Sequence, residues 1–92
     1  MSEEHHNTLG VAVLTTSGRW PATGFEKVSL NEKVRHVLQQ AAQHLHLAGT
    51  DGWIATVGPQ TLNVDESFRA NGFTGGDIQI DFGPRQGGGG RA

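Results

Sequence analysis

Ser29-Leu30-Asn31-Glu32-Lys33-Val34-Arg35-His36-Val37-Leu38-Gln39-Gln40-Ala41-Ala42-Gln43-His44-Leu45 is the stretch whose reading decides the fold. Leu30, Val34, Val37, Leu38, Ala41 and Leu45 recur at intervals of three and four, which gathers them into one apolar stripe of a helix. Lys33, Arg35, His36, Gln39, Gln40, Gln43 and His44 occupy the remaining faces. Ser29 followed by Glu32 reads as a capping box, with the serine oxygen taking the Glu32 amide and the carboxylate reaching back. Gly49 reads as the C-terminal stop, with Leu47 packing just before it. The pattern predicts a helix from about residue 30 to about residue 46, with one greasy side that only a sheet or another helix can cover.

The strand patterns around the helix supply a sheet face on which its stripe can be buried. Upstream, Leu9 to Thr16 is rich in β-branched and apolar residues at both parities, as a strand with neighbours on each side tends to be. Ser17-Gly18 supplies a tight turn, and Arg19 to Phe25 resumes as a second strand. Pro21 cannot donate to a ladder, which places that strand at an edge or a bulge. Downstream, Trp53 to Val57 is a short strand, with Trp53, Ala55 and Val57 expected toward the core and Ile54 outward as a partner contact. Gly58-Pro59 turns the chain and Gln60-Thr61-Leu62 returns. Asn63 to Phe73 is a compact loop holding a helical turn, with Phe68 and Phe73 pointing inward. Asp77 to Phe82 alternates strictly, placing Ile78, Ile80 and Phe82 on one face and Asp77, Gln79 and Asp81 on the other. Connection rules favour this last strand running parallel beside the first, in the middle of a mixed sheet.

Beyond Gly83-Pro84 stands Arg85-Gln86-Gly87-Gly88-Gly89-Gly90-Arg91-Ala92. Glycine carries no apolar surface and loses the most entropy on ordering, so this run adds nothing to a core. It suits a narrow, extended peptide gripped closely by another protein, because a backbone without Cβ atoms threads a channel that a side chain would block; the plainer reading is a frayed terminus. Residues 1–8 are expected to form a disordered arm, residues 9–83 the domain and residues 84–92 a flexible tail.

Composition narrows the function classes. Ninety-two residues make one domain that buries about 60–65% of its unfolded surface, too little for a deep two-domain catalytic cleft. A net charge of −2 with scattered basic residues argues against a nucleic-acid surface. Without cysteine there is no disulfide framework, thiolate nucleophile or zinc knuckle. Met1 to His6 lacks the basic flank and apolar run of a signal peptide, and no segment has membrane-spanning length, so a cytoplasmic location is expected; separately, the protein is expected to be a monomer. Candidate chemical sites are weak. His44 and His46 lie about 200° apart on a helix and cannot share a metal. Asp65-Glu66 reads as a solvated loop cap, Ser67 has no activating partner, and Gly72, Gly75 and Gly76 do not open a helix as a phosphate loop would.

The order of hairpin, capped helix, strand pair, loop and final strand is that of a β-grasp, an α+β fold with a mixed four- to five-stranded sheet and one long helix across one face. Over residues 9 to 90 the chain resembles ubiquitin and its bacterial ubiquitin-like relatives. The resemblance is carried by the Ser17-Gly18 turn, the helix from Ser29, the Leu62…Phe68…Asn71-Gly72-Phe73 spacing, Ile78-Gln79-Ile80 and the glycine tail. The Trp53 strand, Asn71 to Ile80 and the multi-glycine end look most like modifiers of bacterial ubiquitination-like operons. Two departures stand out: four glycines instead of a terminal pair, and Arg91-Ala92 after them.

The resemblance implies a modifier with no enzymatic activity of its own. A processing peptidase would remove Arg91-Ala92. An activating enzyme would adenylate the Gly90 carboxylate with ATP, and a conjugating enzyme would carry it as a thioester to target proteins. Gly89, Gly90 and Arg91 are then the processing and conjugation residues, and Arg85, Gly87 and Gly88 bind within the channel of the enzyme that grips the tail. No cofactor or metal is expected on the chain itself, ATP belonging to the activating enzyme, and neither nucleic acid nor membrane is an expected partner. Residues 83–90 extended span roughly 25 Å at about 3.3 Å per residue. Two other readings stay open: a sulfur carrier whose terminal glycine becomes a thiocarboxylate, and an unconjugated module that binds through its sheet edge.

Overall fold

The computed structural model describes residues 7–84. Its elements in order are β1 (Thr8–Thr15), β2 (Gly18–Trp20), β3 (Glu26–Ser29), α1 (Val34–His44), β4 (Ile54–Val57), β5 (Gln60–Thr61) and β6 (Asp77–Gly83). The sheet runs β2-β1-β6-β4-β5, with β3 also paired to β1. As expected, β6 lies at the centre, parallel to β1 with Val13 beside Ile80 and antiparallel to β4 with Ala55 beside Phe82. One helix crosses one face. This is the β-grasp arrangement.

The expected second strand is split, so the sheet contains six strands rather than four or five. β2 pairs with the far half of β1 (Val13 with Trp20) and β3 with the near half (Val11 with Glu26), leaving Pro21–Phe25 as a bulge between them. Pro21 explains the break, since its nitrogen has no proton for the ladder. The Arg19 guanidinium holds the bulge together, donating to Pro21 O and Gly24 O at 2.8 Å each and lying 5.4 Å over the Phe25 ring. Phe25 rests on the helix-free side of β1 at Gly10. A Cβ at Gly10 would sit 2.9 Å from Phe25 Cβ and 2.3 Å from Asp77 Oδ1, so only glycine lets the bulge seat there.

The helix is shorter than the periodicity predicts, and no capping box forms. Ser29 ends β3, and its Oγ accepts from the Asn31 amide. Lys33 holds the N-cap position without a side-chain cap, and the Glu32 carboxylate goes to His36 Nδ1 instead. The reason is a competing set of backbone bonds. Phe68 and Arg69 donate to the carbonyls of Glu32 and Leu30, while the Val34 and Arg35 amides donate to Glu66 O and Val64 O. The 64–69 loop thus caps the helix from outside and holds residues 30–33 out of it.

At the other end His46, not Gly49, reverses the backbone, at φ 57°. The Leu47 amide bonds Ala42 O and the His46 amide bonds Gln43 O, the paired closure of a Schellman motif. Gly49 also has positive φ but lies out in the connection.

The core matches the apolar patterns closely. Val34, Val37, Leu38 and Ala41 of α1 are buried with Leu9, Val11, Val13, Leu30, Ala55, Leu62, Phe68, Ile80 and Phe82. Phe73 packs at its margin with its ring 6.3 Å from that of Phe68. Leu45, read as part of the stripe, is only half-buried at the helix end, where it reaches toward Gly18. Trp53 precedes β4 and sets its indole edge-on to Phe82, with centroids 5.0 Å apart.

Candidate functional site

The candidate site is the end of the sheet where β6 releases the chain. β6 is held on both sides, by β1 through Leu14 beside Asp81 and by β4 through Ile54 beside Gly83. Its alternation places Ile80 and Phe82 under the helix and leaves Asp77, Gln79 and Asp81 exposed on the other face. A strand gripped by two neighbours fixes the position and direction in which Pro84 leaves the domain.

On the helix-free face this end carries a depression of about 380 Å³, bounded by Leu14, Thr15, Ile54, Thr56, Asp81 and Pro84. Register explains the grouping. Val13 and Ala55 point into the core, so the period-two alternation of a strand turns Leu14 and Ile54 to the opposite side. Ile54 is therefore outward, as its alternation with Trp53 and Ala55 predicts, but it is half-buried in this hollow rather than freely exposed. Leu14 and Asp81 were not singled out from sequence. The signal was available in the opposite parity of Leu14 to Val13, yet their meeting with Ile54 depends on how β1, β6 and β4 pair.

The conjugation residues Gly89, Gly90 and Arg91 and the channel residues Arg85, Gly87 and Gly88 lie outside the described residues, beyond Pro84. The remaining sequence candidates fall into structural roles. His44 stacks on Trp20 with centroids 5.3 Å apart, while His46 forms the helix closure. Asp65 ion-pairs with Arg35, and the Glu66 carbonyl caps α1. Ser67 Oγ accepts from the Ala70 amide at 3.0 Å and so serves a turn. Among the described residues no group of three or more His, Cys, Asp or Glu is placed to hold a metal, and no helix is long and apolar enough to cross a membrane.

Comparison of the sequence with known family profiles finds no match, and comparison with curated proteins finds none either. Solved structures do match. A chain from the structure titled "Molecular Mimicry of SUMO promotes DNA repair" superposes with a TM-score of 0.63 at 8% identity, covering 85% of this chain and 92% of that one. The solution structure of an N-terminal ubiquitin-like domain gives a TM-score of 0.60 at 17% identity over 94% of this chain and 83% of that one. Ubiquitin of Caldiarchaeum subterraneum gives 0.59 at 17% identity over 88% of this chain and 99% of that one. With its parallel β1–β6 core pair, the helix α1 crossing one face and these likenesses, the chain has the ubiquitin-like β-grasp fold.

Proposed function

We propose that the protein is a ubiquitin-like modifier, a substrate of enzymes with no catalytic role of its own. The observation that carries this reading is the position of the glycine run in the sequence, shortly after β6. A ubiquitin-like fold delivers its central strand β6 to Gly83-Pro84, and the sequence continues at once into Arg85-Gln86-Gly87-Gly88-Gly89-Gly90. Such a stalk needs only a reachable, unhindered carboxylate, which glycine provides. On this reading a peptidase trims Arg91-Ala92, an activating enzyme of the cytoplasm adenylates Gly90 with ATP, and a conjugating enzyme transfers the acyl group to target proteins. The affinity to bacterial ubiquitination-like operons belongs to this proposal. The depression around Leu14 and Ile54 is its docking surface for those enzymes, because it adjoins the root of the tail.

The test is pyrophosphate release with the cognate activating enzyme and ATP. Protein ending at Gly90 should react. The chain retaining Arg91-Ala92 should be inert, because its Gly90 carboxyl is locked in a peptide bond. Gly90→Val should also be inert, because a β-branched side chain crowds the carboxylate. Ile54→Glu, in protein ending at Gly90, should raise KM with little change in kcat. Equal activity from the full-length chain, with Arg91-Ala92 still present by mass, refutes the proposal.

A further inference from the structure

Asn71-Gly72 is the one asparagine–glycine pair in the sequence, and the fold treats it in a particular way. An asparagine before glycine can lose its side-chain amide without any enzyme. The backbone nitrogen of the glycine gives up its proton to base and attacks Cγ. A carbon–nitrogen bond closes a five-membered imide, the Cγ–Nδ2 bond breaks and ammonia leaves. Water then opens the ring at either carbonyl, leaving aspartate or its β-linked isomer. Glycine favours the closure because no Cβ hinders its nitrogen.

Every group needed for that closure is tied down here. Asn71 Nδ2 donates to Ser67 O at 2.8 Å and to Asn63 O at 3.0 Å, and Asn71 Oδ1 accepts from the Asn63 amide at 2.8 Å. The Gly72 amide, which would be the nucleophile, donates to Arg69 O at 2.9 Å. The Asn71 carbonyl accepts from Gln60 Nε2 at 2.8 Å, joining the loop to β5. Bringing Cγ onto the Gly72 nitrogen therefore means breaking the three side-chain bonds and freeing the fourth donor. The same bonds make the product incompatible with the loop. A carboxylate only accepts, so an aspartate at position 71 would set its oxygens against the carbonyls of Ser67 and Asn63 with no proton between them.

We propose that Asn71-Gly72 is a fold-gated deamidation site, shut in the native domain and open in the unfolded chain, whose product weakens the loop that closes it. Unfolding then has a chemical memory: a chain that stays unfolded acquires a lesion at the residue that ties down Asn63 and Ser67 on either side of the α1-capping contacts, and it refolds to a less stable domain.

The experiment holds the full chain at mildly alkaline pH, native in one arm and in guanidinium chloride in the other. Conversion at each asparagine is read by peptide mass and by release of ammonia. Asn71 should convert at least about 100-fold more slowly in the native arm, on the order expected when four hydrogen bonds must open. Asn7, Asn31 and Asn63, which precede Thr8, Glu32 and Val64, serve as references in the same sample. They should lag far behind Asn71 in guanidinium chloride. Equal rates for Asn71 in the two arms overturn the gating. Asn71→Asp, which carries the product side chain from synthesis, should melt well below the parent or fail to fold, and a parental melting temperature overturns the predicted lesion.

Discussion

Phe68→Ala tests the architecture most directly. Phe68 is fully buried and is among the largest side chains at the centre of the core. Its ring meets that of Phe73 at a tilt of 56°. Its backbone is equally committed, with the amide donating to Glu32 O and the carbonyl accepting from Asn71 and Phe73. Truncating such a phenylalanine to alanine removes its transfer energy and leaves a cavity, together costing about 3–5 kcal/mol. The described region has 78 residues, counting 7 through 84, so its stability at about 0.05–0.15 kcal/mol per residue is about 4–12 kcal/mol. The substitution therefore removes from a quarter to all of it, and the melting temperature should fall by about 12–40 °C. The fall should exceed what the cavity alone explains in one respect. The loop that Phe68 anchors also supplies the Glu66 and Val64 carbonyls that cap α1, so helix circular dichroism should be lost together with tertiary signal in a single transition. Guanidinium denaturation gives the free energy, and Phe25→Ala is the internal control. Phe25 is 43% exposed, and its loss should cost under about 1 kcal/mol. A Phe68→Ala protein within 1 kcal/mol of the parent, or one costing no more than Phe25→Ala, would refute the placement of the loop against the sheet and helix.

Two further predictions concern the helix ends. His46→Gly should raise stability by up to about 1 kcal/mol in thermal melts, because glycine adopts φ 57° without the Cβ penalty that histidine bears there. Ser29→Ala should change stability by only a few tenths of a kcal/mol, since its oxygen serves an exposed turn; a loss of 1 kcal/mol or more would restore the capping box.

The parts of this protein legible in its sequence are those that follow from local side-chain periodicity. The stripe Val34, Val37, Leu38 and Ala41 announces a one-sided helix, and Ile78, Ile80 and Phe82 announce a strand wet on its other face, because 3.6 and 2.0 residues per repeat leave different imprints. Tertiary structure decided where elements stop and which of them meet. Ser29-Leu30-Asn31-Glu32 is a good helix start by itself, yet its backbone groups bond to Arg69, Phe68 and Asn7, and the helix waits until Val34. Likewise, Leu14 and Ile54 become neighbours only because β6 lies between β1 and β4. A backbone amide is chemically the same at every residue, so no local pattern specifies which distant carbonyl will receive it. That choice is made when the sheet and the 64–69 loop close around the helix, where each buried donor and acceptor must find a partner at once.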